Sequence, residues 1–114
     1  MVFTSSCETK QSSIKRTSKE FITAILTKDY KNAETYLFDK YYEFSYRAKN
    51  REELYQYFDF INSKIKIQNV LFNEYEFEND NYTIVYNTFN GTKILVDFTE
   101  NKLFGYSIFS FTII

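Results

Sequence analysis

The sequence predicts an α+β fold: a curved antiparallel sheet of four to five strands wrapped around a long N-terminal helix, with two shorter helices beside it. Three stretches carry that prediction. Ile14, Ser18, Phe21 and Ile25 recur at i, i+4, i+7 and i+11, with Ile22 and Leu26 widening the stripe, as in a helix lying on a sheet. From Lys64 to Glu78 the side chains alternate with a period of two, which marks a half-buried strand. Asn90-Gly91 separates two further alternating runs and is a strong hairpin signal, because both residues tolerate positive φ.

The chain of 114 residues supports one domain, large enough to bury about 65% of its unfolded surface. Pro is absent and Gly occurs twice, so no linker divides it. Residues 1–12 read as a polar tail or tether, and 13–114 as the domain. The 13 Phe and 11 Tyr, with no Trp, supply apolar bulk for a core. A formal charge of −1 argues against a nucleic-acid partner, which needs a concentrated basic face. The one basic cluster, Lys15, Arg16 and Lys19, reads as a solvated helix face. No apolar run approaches the roughly 20 residues of a membrane span.

In chain order, Ser12 or Ser13 is placed to cap a first helix over about Ile14 to Lys28. Asp29 can cap a second, short helix with Tyr30, Ala33 and Leu37 on one face. Tyr41 to Arg47 alternates as a short strand. Asn50-Arg51-Glu52-Glu53 is a capping-box variant, opening a helix that turns Leu54, Tyr57, Phe58 and Ile61 inward. The long strand from Lys64 to Glu78 should put Ile65, Ile67, Asn69, Leu71, Asn73, Tyr75 and Phe77 on the inner side. Its outer side turns apolar only at Val70 and Phe72. After an Asn79-Asp80-Asn81 turn come strands at Tyr82–Asn90 and Thr92–Thr99. A two-residue type I′ loop would set Asn87 opposite Ile94 and Val85 opposite Val96. One face then holds Val85, Phe89, Ile94, Val96 and Phe98 toward the helix, the other Tyr82, Ile84, Tyr86 and Asp97. A last strand, about Lys102 to Ile113, contains Gly105, where a bulge or close backbone approach is expected.

Two resemblances bear on identity. The small residues before Cys7, Ser5-Ser6, resemble the end of a bacterial lipoprotein signal, which implies lipidation of Cys7 and an extracytoplasmic location. Such a signal also needs a basic region and about 7–15 apolar residues, so an ordinary polar N-terminus on a cytoplasmic protein is the alternative. Phe21-Ile22-Thr23-Ala24-Ile25-Leu26-Thr27-Lys28-Asp29-Tyr30-Lys31-Asn32-Ala33, with the order of elements, resembles the nuclear transport factor 2-like (cystatin-like, SnoaL-like) superfamily. Its bacterial members have a similar helix ending in a small-residue, Asp, aromatic turn, with Lys28 here in place of their usual Gly. The resemblance implies a cone with a pocket at its open end. It also implies membership among isomerases, dehydratases, polyketide cyclases and non-catalytic binding or assembly domains.

The residues limit the chemistry. With no His and one Cys, the usual zinc and non-haem iron ligand sets are missing, so no metal site is expected. No Gly-rich phosphate loop is present, and no cofactor is expected. An enzyme would have to use carboxylate and Tyr, as in the isomerases the chain resembles. Asp97, expected between Tyr82 and Tyr86 and across from Ile84, is the one candidate, weighed against a solvent-face Asp pairing with Lys93. Asn69, Asn73, Tyr82 and Tyr86 are candidate pocket residues, the two amides alternatively marking a bend. The expected function is a non-catalytic binding or interaction domain for a small apolar ligand or a protein. A small pocket enzyme is the alternative, and a homodimer formed through the outer sheet face is a third.

Overall fold

The structure, a computed structural model, describes residues 9–37, 50–101 and 105–114. Its order is α1 (Lys10–Leu26), α2 (Tyr30–Glu34), α3 (Arg51–Lys64), a 3₁₀ turn (Ile67–Asn69), β1 (Val70–Glu78), β2 (Thr83–Thr88), β3 (Lys93–Asn101) and β4 (Gly105–Ile113). The four described strands form one antiparallel sheet in the order β1-β2-β3-β4, not closed into a barrel, with α1 packed on one face and Leu37 in a parallel bridge to Ile108 of β4. This is the predicted α+β architecture: a long N-terminal helix, two shorter helices and an antiparallel sheet. The strand expected over Tyr41 to Arg47 lies outside the described residues.

Helix α1 begins earlier than its sequence suggests. Thr9 is the N-cap, its hydroxyl accepting from the Ser12 amide at 3.1 Å, so the helix reaches back into residues assigned to the tail. Ser12 and Ser13 lie inside the helix. The expected stripe is buried: Ile14, Ser18, Phe21, Ile22 and Ile25 have no exposed surface. Phe21 is its centre, meeting Phe111 edge-on at 5.3 Å, Phe58 at 6.2 Å and Tyr36 at 6.4 Å. Helix α3 starts as predicted, with the Asn50 side chain accepting from the Glu53 amide at 2.9 Å. Leu54, Tyr57, Phe58 and Ile61 all face the core.

Two strand predictions need correcting. The run from Lys64 to Glu78 is not one strand. Helix α3 claims Lys64, and a 3₁₀ turn takes Ile67–Asn69, so β1 has nine residues. A turn that reverses the chain between helix and strand can mimic a period of two over so few residues. Within β1 the register shifts between Leu71 and Tyr75. The bulge switches which side faces inward: Val70 and Phe72 join the core before it, Tyr75 and Phe77 after it. Leu71, paired with Asn87, and exposed Asn73 therefore leave the inner face predicted for them.

The β2–β3 hairpin is the second correction. Asn87 pairs with Lys93, Tyr86 with Ile94, Val85 with Leu95 and Ile84 with Val96. The loop has three residues, Phe89-Asn90-Gly91, with Gly91 at φ +86° and the Gly91 amide donating to the Thr88 carbonyl at 3.3 Å. Asn90 does not take positive φ, so this is a turn closed by one left-handed glycine and not the type I′ pair. One extra loop residue flips β2 over. Ile84 and Tyr86 enter the core with Ile94, Val96 and Phe98, while Phe89 is 72% exposed. The prediction for β3 holds and that for β2 inverts. Gly105 opens β4 at φ +92°, and a Cβ there would meet nothing within 4 Å, so backbone angle and not close approach requires glycine.

Phe21→Ala should lower unfolding stability by about 3–5 kcal/mol, as expected for a large ring removed from a packed centre. Chemical denaturation measures it. A loss below about 1 kcal/mol would mean that α1 docks by another face.

Candidate functional site

Between α1 and the sheet, the space holds packed side chains. Tyr86 is the largest fully buried one, and its hydroxyl lies 2.7 Å from the Ser18 hydroxyl and 3.2 Å from the Lys15 carbonyl. Phe72 meets its ring edge-on at 5.4 Å, and Tyr75 lies at 6.0 Å. The basic cluster of α1 stands over this aromatic layer. Lys15 sits 4.4 Å from the Tyr75 ring centre and Lys19 5.5 Å from that of Phe72, while Arg16 pairs with Glu20 at 3.6 Å.

The sequence candidates do not converge. Asp97 lies on the sheet face away from α1, opposite Thr83 and not Ile84, and it accepts from the Thr83 hydroxyl at 2.5 Å. Lys93, four residues along β3, is not its partner among the described residues. Tyr82 is half-buried at the β1–β2 turn, donating to Glu100 at 2.8 Å and carrying Lys10 3.2 Å above its ring. Tyr86 points toward α1 as well, its hydroxyl against Ser18, so both rings lie on the helix side of the sheet and form no shared outer patch. The reason is the one-residue register difference. Asn69 ends the 3₁₀ turn, its carbonyl accepting from the Phe89 amide at 3.0 Å, and Asn73 stands exposed in the β1 bulge. Both amides mark bends in the chain. Cys7 lies outside the described residues.

A recess lies elsewhere, a groove of about 610 Å³ where α1 and α3 both end. Lys28, Asp59, Asn62, Ser63, Lys66 and Gln68 give it polar walls, and Leu26 and Ile65 an apolar floor. Asn62 holds its geometry. That side-chain amide donates to the Ile25 carbonyl at 2.8 Å, to the Tyr30 hydroxyl at 2.9 Å and to the Phe58 carbonyl at 3.2 Å. The Tyr30 hydroxyl in turn donates to Asp59 at 2.6 Å. Helices α1, α2 and α3 are thus tied together at one point. The sequence patterns do not single out Asn62, although an amide one position beyond the inward Ile61 is the available signal.

Lys28, on the groove wall, has φ +64°, the left-handed region where glycine is at ease. Here the chain departs from the motif it resembles, and the departure carries strain. Lys28→Gly should raise stability by about 1 kcal/mol, measured by urea midpoint, and an unchanged or lower midpoint would show the strain to be absent.

The tyrosine hydroxyls are poor proton-transfer groups near neutral pH. Burial pushes Tyr86 up from 10.0 to about 12, against a smaller lowering by Ser18. Burial, and then the hydrogen bond to Asp59, push Tyr30 to about 12. The folded chain therefore holds these protons more tightly than the unfolded chain. Their stabilising contribution is whole below pH about 10 and is lost as pH rises toward 12. Tyr86→Phe should cost about 1 kcal/mol at pH 8 through the lost hydrogen bond, yet lose less stability than the parent between pH 10 and 12. Equal alkaline slopes in urea titrations would show that the Tyr86 hydroxyl is not held in the core.

Among the described residues no cluster of His, Cys, Asp or Glu is arranged to hold a metal ion. Glu34, with its side chain 11% exposed, is taken up structurally, accepting from Tyr55 and pairing with Arg51 at 3.0 Å. No described helix is long and apolar enough to cross a membrane. Compared with protein-family models, with curated proteins and with solved structures, the chain finds no match in any of the three.

Proposed function

We propose that the chain is a non-catalytic binding or interaction domain of nuclear transport factor 2-like type, working through its surface. One observation carries the proposal: the space between α1 and the sheet is occupied by Phe21, Phe58, Tyr86 and Phe111, while other large apolar side chains stand exposed. A pocket enzyme would spend that interior on substrate and place a carboxylate in it. Here the acid singled out by sequence, Asp97, lies on the opposite sheet face. The order of helices and antiparallel strands supports the superfamily resemblance. Lipidation at Cys7 fits the same proposal. Cys7 lies two residues before the Thr9 cap, so an acyl chain there would hold the molecule by the N-terminal end of α1.

Titration of the folded protein with 1-anilinonaphthalene-8-sulfonate tests this function. A weak, unsaturable fluorescence rise is expected, because the interior offers the dye no enclosed space. Saturable one-to-one binding with a blue-shifted emission would overturn the surface function and favour a small pocket enzyme.

A further inference from the structure

One pole of the molecule gathers six chain ends. Helices α1 and α3 finish there, β1 and β3 begin there, and β2 and β4 finish there. Backbone contacts join the pieces: the Phe89 amide donates to the Asn69 carbonyl at 3.0 Å, and Lys93 and Ile114 exchange hydrogen bonds of 2.7 and 2.9 Å. Among the described residues, three of the four exposed large apolar side chains stand at this pole, Phe60 at 45%, Phe89 at 72% and Ile114 at 68% exposure. Around them are four exposed lysines, Lys28, Lys64, Lys66 and Lys93, against two exposed acids, Asp29 and Asp59. Among the described residues none of the four is paired with an acid, and Lys64 lies 5.4 Å from the Phe60 ring centre. The opposite pole, at the β1–β2 turn, carries Glu76, Glu78, Asp80 and Glu100, with Lys10 as its counter-charge.

We propose that the lysine-rich pole docks on an anionic lipid bilayer, Phe89 entering the headgroup layer with the lysines at phosphate level. The proposal rests on the surface-interaction function above and names its partner. Charge complementarity selects the pole, since each lysine near an anionic surface adds to the attraction while the acidic pole is repelled. Residue type selects a bilayer over a protein. Lysine is depleted in protein interfaces, whereas lysine around exposed aromatic and aliphatic side chains suits the membrane interface. Phe89 sits at a hairpin tip whose Phe89 and Gly91 amides are already bonded, to the Asn69 and Thr88 carbonyls, so entry into the headgroups strands neither donor. Long lysine stems let the ammonium groups remain with phosphates while the apolar tips go deeper.

Co-sedimentation of the full chain carrying Cys7→Ser, so that no acyl chain takes part, tests the proposal. Vesicles of phosphatidylcholine and phosphatidylglycerol at 7:3 should carry the protein down, and pure phosphatidylcholine should not. Raising the salt from 0.05 to 0.5 M should release it, as the Debye length shrinks from roughly 14 to 4 Å. Lys93→Gln and Lys66→Gln should each weaken binding about fivefold, and Phe89→Ser about tenfold. These side chains are exposed, so thermal unfolding should stay unchanged. Lys10→Gln, at the other pole, should leave binding intact. Equal binding to neutral vesicles, equal loss from Lys10→Gln, or no binding at all would overturn the proposal. So would binding of polyglutamate without binding of vesicles, which would make the pole a protein-docking surface. The dye titration is independent of these outcomes, so failure here and failure of the surface function are told apart.

Discussion

The hydrogen bond between Ser18 and Tyr86 fixes how helix and sheet meet. Both residues have no exposed surface, and their hydroxyls lie 2.7 Å apart. A buried hydroxyl without a partner costs about 1–3 kcal/mol, so α1 is held to the position over β2 that satisfies Tyr86, whose partners Ser18 and the Lys15 carbonyl are both on α1. Sliding the helix by a turn, or turning β2 over, would strand the Tyr86 hydroxyl in an apolar layer, while Ser18 would keep the Lys15 carbonyl of its own helix, 3.0 Å away. The apolar contacts of Phe21 supply most of the attraction. The polar pair selects among the ways those contacts could be made.

That pair also explains where sequence patterns sufficed and where they did not. Helices α1 and α3 were legible because a 3.6-residue stripe and the Asn50 cap are local signals. The inner face of β3 was legible because Ile94, Val96 and Phe98 alternate with polar neighbours. Strand β2 offered no such contrast, since Ile84, Val85 and Tyr86 are apolar in succession. Its facing depended on the loop, and Asn-Gly serves both two-residue and three-residue loops. The added loop residue was decided by which of Val85 and Tyr86 could complete the core, a tertiary matter. The β1 bulge was likewise invisible, although Val70 and Phe72 on the polar side were its trace.

The candidate site was less legible than the fold. Asp97 drew attention through an assumed register, and once β2 turned over its neighbours changed from Ile84 to Thr83. The groove at the ends of α1 and α3 is built from residues far apart in sequence, Lys28, Asn62 and Lys66 among them. No local spacing announces such a meeting. Lys28 alone left a mark, a lysine at the end of the α1 pattern whose φ of +64° lies where glycine is at ease.

Charge is distributed along the same axis as the fold. Helix α1 spans about 25 Å at 1.5 Å per residue, so its two ends lie at different poles. Glu76 and Glu78, facing outward along β1, lie toward the N-terminal end of α1, and Lys28 and Lys66 lie at its C-terminal end. The net charge of −1 conceals this division, because opposite poles cancel in a sum over the chain. At the acidic pole Lys10 bridges α1 to the Asp80 carbonyl at 2.7 Å. The lysine pole carries the exposed Phe89 and Ile114. Opposite charge at the two ends of α1 gives the domain an electrostatic axis along the helix, a geometry that neither the sum of charges nor the list of aromatic residues expresses.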